Sequence, residues 1–355
     1  MRQRNDLPRE VPRGFFVVCK AKAPMKETKT ARTLQGIVIK KGNPQITVQV
    51  DGRVVICTFP RDNHLKMAET KRSSRHGLDR NSAPGENIVV GDRVGLCEYA
   101  PGSGLVTAVL PRTSQFVRRS AAPMSGAYAG AQVIAANVDQ VVPVFAAANP
   151  EPHWNMLDRY LVAAEAHGLP ALICISKADL AGAPQEERRA GLDAELADYR
   201  RIGYPVVWVS AVTGAGLVEL KAALAGRITL LLGKSGVGKT SLLNAIQPGL
   251  GLRVSAVNPV TGKGRHTTTA QEMFMLEGGG AIVDTPGERE FGLWDVDGRE
   301  LDTCFPEMRP YLGRCRFGLG CQHDEEPGCA VRQAVMVGEI SPRRYHSYLR
   351  LREDP

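Results

Sequence analysis

The chain has 355 residues, enough for two or three domains, because a single hydrophobic core rarely grows beyond about 250 residues. Residues 1–120 contain 22 Lys and Arg against 10 Asp and Glu, a net charge of +12, whereas the remainder contains 23 against 27, a net charge of −4. This N-terminal excess predicts a phosphate-bearing partner, either a nucleic acid or a lipid surface. With no apolar run near the roughly 18 residues of a membrane span and a charged rather than signal-like N-terminus, we predict a cytoplasmic protein whose eight cysteines are reduced or metal-bound.

Residues 1–32 are predicted to form a basic tail. They contain nine Lys and Arg and show little helical or strand periodicity. Such a segment buries too little apolar surface to fold alone, so we expect it to become ordered only on a partner.

Residues 33–112 are predicted to form a small β-barrel of the oligonucleotide-binding (OB) type. Short runs rich in β-branched residues predict five strands, at 36–40, 46–50, 53–59, 88–97 and 105–110. Asp51 and Gly52 are a strong hairpin signal between the second and third runs, and five strands in about 80 residues suit such a barrel. The basic loop 60–87 is either a solvated surface loop or a grip on RNA backbone.

Residues 113–295 are predicted to form an α/β domain, because strands and helices alternate from about residue 131. Predicted strands cover 138–145, 171–175, 206–209, 228–232 and 281–283, and the helical stretches include 155–166, 186–200 and 239–246. This alternation favours a mainly parallel sheet with helices on both faces. Pro143 removes a ladder donor from the first strand, which predicts an edge position or a bulge there.

A phosphate-binding loop follows the apolar run 228–232. Residues 233–240 match the GxxxxGK[ST] pattern, in which glycines let backbone N–H groups approach phosphates at a helix N-terminus. Lys239 is expected to reach the β- and γ-phosphates of a nucleoside triphosphate, and Thr240 to offer its hydroxyl to Mg²⁺. The predicted residues of this loop are Gly233, Lys234, Ser235, Gly236, Val237, Gly238, Lys239, Thr240 and Ser241.

A DxxG pattern lies about 45 residues further on. Asp284 follows the apolar run 281–283, which places it at a strand end that faces the phosphates. We expect Asp284 to bind Mg²⁺ through a coordinated water. The N–H of Gly287 is expected to contact the γ-phosphate and so to respond to its loss.

A guanine-reading segment precedes the phosphate loop, whereas an ordinary GTPase places it afterwards. Its residues are Ser176, Lys177, Ala178 and Asp179, close to the NKxD pattern, with Ser210 and Ala211 as the usual companion. Asp179 can accept hydrogen bonds from guanine N1–H and N2–H, which adenine cannot donate, and this argues against an ATP-using enzyme. Ser176 stands where Asn is expected and lacks its amide. The order of motifs predicts a circularly permuted GTPase.

Residues 296–355 are predicted to form a zinc-binding helical domain. Three thiolates and one imidazole, the set that fills a closed tetrahedral zinc site, come from Cys315, Cys321, His323 and Cys329. Cys304 lies outside this spacing and is the alternative ligand. Residues 330–337 and 342–351 are predicted as amphipathic helices, and we expect the second to offer RNA four arginines, Arg343, Arg344, Arg350 and Arg352.

Taken together, these motifs resemble the RsgA (YjeQ) family over about residues 33–352. The resemblance rests on the permuted order, on residues 264–269 as the first switch, and on residues 284–294 and 305–313. Family members combine an OB barrel, a circularly permuted GTPase domain and a zinc domain. The resemblance implies a GTP hydrolase that acts late in maturation of the small ribosomal subunit, is stimulated by that subunit and leaves it after hydrolysis.

The family also implies roles for residues of the switches. His266 falls on the histidine thought to position the attacking water, and one of Thr267, Thr268 and Thr269, with Thr268 as the chosen candidate, closes over Mg²⁺. Glu288 replaces an apolar residue of relatives and either faces solvent or tunes the γ-phosphate site. Relatives space the first two cysteines one residue closer, so the chain has an insertion around residues 318–320.

The expected partners are the small subunit and its rRNA, no membrane is expected, and we expect a monomer. The competing hypothesis is a nucleotide-gated RNA-binding factor with negligible turnover.

Overall fold

The computed structural model describes residues 32–353 apart from 43–44, 60–65, 68–87, 120–130, 183–185, 253–270 and 286–299. The N-terminal strands are β1 (Arg32–Lys41), β2 (Ile46–Val50), β3 (Arg53–Thr58), β4 (Lys66–Met67), β5 (Arg93–Ala100) and β6 (Ser103–Val109). Strands β3 and β4 each pair with β6 in parallel, and the other pairs among these strands are antiparallel. The five long strands close in the order β1-β2-β3-β6-β5-β1. This five-stranded closed arrangement is that of an OB barrel, and the predicted fold is confirmed.

Alternation along the strands fills the barrel interior. Strand β2 buries Ile46, Val48 and Val50 on one face, as a period of two requires. Asp51 and Gly52 form the predicted hairpin turn with positive φ angles of 45° and 81°. The apolar alternation and the turn residues therefore specify the same register.

The central domain contains one mainly parallel sheet. Its elements are β7 (Gln115–Arg119), β8 (Ala131–Ala136), β9 (Gln140–Ala146), α1 (Trp154–Ala166), β10 (Ile173–Ser176), α2 (Glu186–Ile202), β11 (Val206–Trp208), α3 (Leu217–Leu224), β12 (Ile228–Leu232), α4 (Lys239–Ile246), β13 (Glu272–Met275) and β14 (Ala281–Asp284). The order in the sheet is β11-β10-β9-β12-β14-β13, with β13 antiparallel, while β7 and β8 form a separate hairpin. Strands β7, β8 and β13 and helix α3 were not predicted from the sequence.

Helices cover both faces of this sheet, as predicted. On β9, Val141 and Phe145 join a hydrophobic cluster with α1, α2 and the C-terminal domain. Val142 and Val144 join a second cluster, on the opposite face, with α3 and α4. Because both faces are buried, the strand is apolar throughout rather than alternating.

The sequence predicts an edge position or a bulge at Pro143; the edge position is wrong, and the register with β12 is unbroken through Pro143. Strand β9 lies between β10 and β12, and Pro143 pairs with Leu232 of β12. Pairing with β10 is interrupted instead: an isolated bridge joins Val141 to Ala171, and the ladder resumes at Val144. The interruption coincides with the missing N–H of the proline, so the sheet tolerates Pro143 at the cost of a local gap.

The barrel is joined to the central domain through main-chain contacts. Strand β1 pairs with β13 at Lys40 and Glu272, whose side chains form an ion pair of 3.1 Å. A second contact joins the segment before β5 to the end of β8, where the N–H of Ala136 donates to the carbonyl of Val90 at 3.0 Å. A Cβ on Gly91 would lie 2.0 Å from the carbonyl oxygen of Ala136, so this junction requires glycine.

The C-terminal domain packs on α1 and contains helices α5 (Ala330–Met336) and α6 (Pro342–Glu353). The expectation that Arg344 is available to RNA is wrong, because its side chain is fully buried. Its guanidinium donates to Asp158 at 2.6 Å and to Glu307 at 2.6 Å. Arg343 and Arg352 are also held by carboxylates, and Arg350 donates to Asn155.

Several predicted features lie outside the described residues. These are the tail up to residue 31, most of the loop 60–87, the first switch with His266 and Thr268, and Gly287 with Glu288. Among the helices that the structure describes, none has the length and apolar character needed to cross a membrane.

Candidate nucleotide and metal sites

The phosphate loop lies at the carboxyl end of β12 and leads directly into α4, with both boundaries as predicted. Gly238 precedes the helix with a φ of 96°, a conformation that favours glycine. A Cβ on Gly233 would lie 2.6 Å from the carbonyl oxygen of Val144 on β9. The loop can therefore pass this close to the sheet only with glycine at position 233. The first turn of α4 thus presents its free N–H groups next to the loop.

Lys239 is held inside the phosphate loop. Its side chain is buried, and its ammonium donates to the carbonyls of Gly233 at 2.5 Å and Lys234 at 3.3 Å. The charge therefore already lies at the centre of the loop, where a bound phosphate would be. Thr240 follows in the first helical turn and is partly buried, and Ser241 comes next along α4.

The structure brings the predicted base-reading segment to the phosphate loop. Ser176, at the end of β10, is buried, and its hydroxyl lies 2.5 Å from the carbonyl oxygen of Val237 and 3.1 Å from that of Phe145. A serine hydroxyl has one proton, so it donates to one carbonyl at a time, and the shorter distance favours Val237. The short side chain at the position of the expected Asn thus reaches the phosphate loop directly.

Lys177 and Asp179 flank this contact. Lys177 has a left-handed backbone, its stem runs beside Gly238, and its ammonium donates to the carbonyl of Asn149. Burial lowers the pKa of Lys177, although Asp179 acts in the opposite direction. Asp179 accepts a hydrogen bond of 2.5 Å from the hydroxyl of Ser210.

The turn that begins at Ser210 is held in place by hydrogen bonds to the Ser210 hydroxyl. This hydroxyl also contacts Asp179, so the carboxylate of Asp179 is oriented as well. The hydroxyl oxygen of Ser210 accepts from the N–H groups of Val212 at 3.2 Å and Thr213 at 3.1 Å. The N–H of Ala178 donates to the carbonyl of Val209, so the 176–179 and 210–211 segments lie side by side. A carboxylate oxygen of Asp179 can then face a base that bears two N–H donors.

Asp284 and Thr240 are the candidate oxygen donors to Mg²⁺. Asp284 ends β14, is buried, and pairs in register with Leu231 of β12. Thr285 donates through its hydroxyl to the carbonyl of Leu231 at 3.0 Å, which fixes the start of the DxxG segment beside the phosphate loop. Together with the hydroxyl of Thr240, these carboxylate oxygens suit Mg²⁺ chemically.

The four predicted metal ligands converge in the C-terminal domain. The ligand atoms of Cys315, Cys321, His323 and Cys329 all lie within 4.8 Å of one another and all four residues are buried. Cys315 Sγ is 3.8 Å from Cys329 Sγ and 3.5 Å from His323 Nδ1. A tetrahedral zinc ion with bonds of about 2.3 Å to sulfur and about 2.0 Å to nitrogen requires edges of about 3.8 Å and about 3.5 Å. The cluster is therefore compatible with zinc.

Backbone donors favour the thiolate form of one cysteine in this cluster, whereas burial raises the pKa of Cys321 to about 12 and also raises the pKa of Cys329. Burial opposes ionisation of Cys315, yet the N–H groups of Ala330 and Val331 bring the pKa of Cys315 below its ordinary value. Cys304 differs: it lies outside the cluster, its thiol donates to the carbonyl of Glu300, and burial raises the pKa of Cys304 to about 11. The alternative that Cys304 serves as a ligand therefore gains no support.

Sequence reasoning missed a carboxylate beside the cluster. His323 Nε2 lies 3.3 Å from Asp302 Oδ2, and this contact leaves Nδ1 to face the thiols. Metal-bound histidines commonly have such a partner, which fixes the ring orientation. Asp302 is 21 residues away from His323 and belongs to no motif, so no sequence signal singles it out.

Comparisons with known proteins agree with this geometry. The RsgA GTPase family model matches residues 109–294. A small ribosomal subunit biogenesis GTPase RsgA from Gemmatimonas aurantiaca is 46% identical over 82% of this chain and 92% of its own length. The protein of the same name from Azotobacter vinelandii is 48% identical over 74% of this chain and 73% of its own length.

Solved structures are similar over almost the whole chain. The crystal structure of YjeQ from Thermotoga maritima has a TM-score of 0.67 and 32% identity, and the similarity covers 91% of this chain and 98% of that one. YloQ, described as a circularly permuted GTPase, has a TM-score of 0.63 and 26% identity over 93% and 97% of the two chains. With the phosphate loop, the preceding base-reading segment and the permuted fold in place, the chain belongs to the RsgA GTPase family.

Proposed function

We propose that this protein hydrolyses GTP late in the maturation of the small ribosomal subunit, is stimulated by that subunit and leaves it after hydrolysis. The observation that supports the guanine assignment is the hydrogen bond from Ser176 to Val237, which joins the segment containing Asp179 to the phosphate loop. The role in subunit maturation is supported by the names of the relatives, which are small ribosomal subunit biogenesis GTPases. We infer that it works in the cytoplasm as a monomer, and that the basic N-terminal region contacts rRNA.

In this proposal each motif acts on one part of the nucleotide. The N–H groups of residues 233–240 and the ammonium of Lys239 bind the phosphates, and Asp179 accepts from the guanine edge. Mg²⁺, held through Thr240 and Asp284, would neutralise charge that develops between the β- and γ-phosphates. His266 orients the water that attacks the γ-phosphorus, and the products are GDP and phosphate. Gly287 loses its γ-phosphate contact on hydrolysis and so signals the change.

The proposal is tested by turnover of the purified protein with and without small subunits. We expect subunits to stimulate GTP hydrolysis, and His266→Ala to lower the stimulated rate about tenfold or more with GTP affinity within a few-fold of the parent. If the parent binds GTP and subunits but does not hydrolyse GTP above background, the nucleotide-gated RNA-binding factor is correct instead. If subunits stimulate GTP hydrolysis by the parent and by His266→Ala to the same rate, another group positions the water.

Guanine nucleotides should bind at least about a hundredfold tighter than adenine nucleotides, because adenine leaves the Asp179 carboxylate without its two donors. We expect Asp179→Asn to erode this preference and to improve binding of xanthosine diphosphate, whose C2 carbonyl accepts from the new amide. Glu219→Gln, on the exposed surface of α3, is the matched control and should leave selectivity unchanged. Calorimetric titrations measure the nucleotide affinities of the parent and of both variants. Equal affinity of the parent for GDP and ADP would contradict the guanine assignment.

We further propose that Cys315, Cys321, His323 and Cys329 hold one structural zinc ion. Cys321→Ser should lose the metal and unfold the C-terminal domain locally, because so small a segment depends on its metal for folding. Nucleotide binding should persist, since α4 packs in the cluster on the opposite face of the sheet. Elemental analysis should give one zinc per chain for the parent and for Cys304→Ser, the matched control. Freshly purified parent protein without zinc would contradict the proposal.

A further inference from the structure

The turn between the first two cysteines of the metal cluster exposes apolar side chains to solvent. We call residues 314–320 the Phe317 loop. Phe317 is 53% exposed and Leu319 is 86% exposed, although Cys315 and Cys321 on either side are buried. An exposed aromatic ring and an exposed leucine in one short loop are a feature of surfaces that bind a partner.

The Phe317 loop is held in shape by its own backbone. The N–H of Gly318 donates to the carbonyl of Cys315 at 2.8 Å, and the N–H of Gly320 donates to that of Phe317 at 3.2 Å. The N–H of Arg316 donates to the carbonyl of Gly328 at 3.0 Å, which ties the loop to the segment before Cys329. The ring is thus presented on a fixed support, so binding there costs little conformational entropy.

Two arginines of the Phe317 loop differ from those of helix α6. Arg314 and Arg316 are both exposed, and neither forms an ion pair with any carboxylate in the part of the chain that the structure describes. The guanidinium of Arg316 lies 6.0 Å from the centre of the Phe317 ring. On α6, by contrast, three of the four arginines are paired with carboxylates. The positive charge that can meet a ligand in this domain therefore includes two arginines of the same loop as the exposed ring.

We propose that the Phe317 loop binds an unpaired nucleotide of RNA, with the base stacked on Phe317 and the flanking phosphates contacted by Arg314 and Arg316. Unpaired bases are recognised by stacking on aromatic rings, and arginine supplies the accompanying phosphate contacts. An apolar pocket on a protein could bind Phe317 and Leu319, but the two arginines without an ion pair would not stabilise binding in such a pocket. This inference rests on the proposed function, because rRNA is the RNA that the protein would meet.

The first test compares variants of the full-length protein for affinity to purified small subunits. We expect Phe317→Ala to weaken binding by roughly tenfold, as loss of one stacked base does, and Phe317→Tyr to bind like the parent. The double variant Arg314→Gln, Arg316→Gln should also weaken binding and should reduce its dependence on salt. Leu319→Ala is the matched control and should stay within about twofold. Basal GTP hydrolysis should be unchanged in all of them.

Two results would overturn the inference while leaving the proposed function intact. In one, the parent binds subunits and Phe317→Ala binds equally well. In the other, Leu319→Ala loses as much affinity as Phe317→Ala, which indicates apolar docking on a protein. If the parent itself does not bind small subunits, the proposed function fails first.

A cross-linking experiment identifies the class of partner directly. Phe317 is replaced by p-benzoylphenylalanine in the full chain, and the complex with small subunits is irradiated. We expect a cross-link that ribonuclease removes. A cross-link to a ribosomal protein, or none from a complex shown to be assembled, would overturn the inference.

Discussion

Nucleotide binding should be severely weakened, and at ordinary concentrations lost, in Lys239→Ala. In the parent, the ammonium is buried and lies 2.5 Å from the carbonyl of Gly233, so it is already in place for the phosphates. Two charge-assisted hydrogen bonds to phosphate oxygens, worth about 1.5–3 kcal/mol each, disappear with it. We therefore expect GTP affinity to fall by roughly 100- to 10,000-fold, as measured by calorimetric titration.

The control for this prediction is Lys221→Ala, on the exposed face of α3. It removes the same charge from the protein without touching the phosphate loop, so GTP affinity should stay within about twofold. Circular dichroism should show that both variants remain folded. If Lys239→Ala retains the parent affinity, the loop of residues 233–240 does not bind the phosphates.

Attachment of the C-terminal domain should depend strongly on Arg344. This residue is fully buried and donates to Asp158 of α1 and to Glu307. Burial alone would lower the pKa of Arg344, but the two carboxylates raise it, so the guanidinium stays charged. Removing it leaves Glu307 without its cation and Asp158 with only the longer ion pair of 3.4 Å to Arg343, and we expect Arg344→Met to lower the free energy of unfolding by about 3–5 kcal/mol.

Hydrogen exchange of α6 amides and urea titration measure this effect. Arg350→Met is the matched control on the same helix, because Arg350 is exposed and its loss should cost less than about 1 kcal/mol. Adding Glu307→Gln to Arg344→Met removes the uncompensated charge and should recover part of the loss, since contacting residues are not additive. A cost of less than about 1 kcal/mol for Arg344→Met would mean that packing rather than the ion pairs attaches the domain.

The sequence by itself determined the features whose cause is local. The bounds of β12 and α4 were predicted to the residue, because a buried strand, a glycine-containing turn and a helix start are encoded within about 20 residues. The turn at Asp51 and Gly52 was predicted because its positive φ angles favour those residue types. The four candidate metal ligands were predicted as one cluster because they lie within 15 residues of one another. Motif order also sufficed to predict the permuted fold.

Only the tertiary structure decided features that depend on a partner far along the chain. Arginine is normally a surface residue, and Arg344 is buried only because Asp158, 186 residues earlier, lies on the helix that α6 packs against. Pro143 could not be placed in the centre of a sheet from its own segment, because strand order depends on neighbours more than 80 residues away. Ser176 departs from the expected motif, yet its hydroxyl contacts Val237 because β10 ends beside the phosphate loop. Such contacts depend on how distant segments pack, and local periodicity carries no information about that packing.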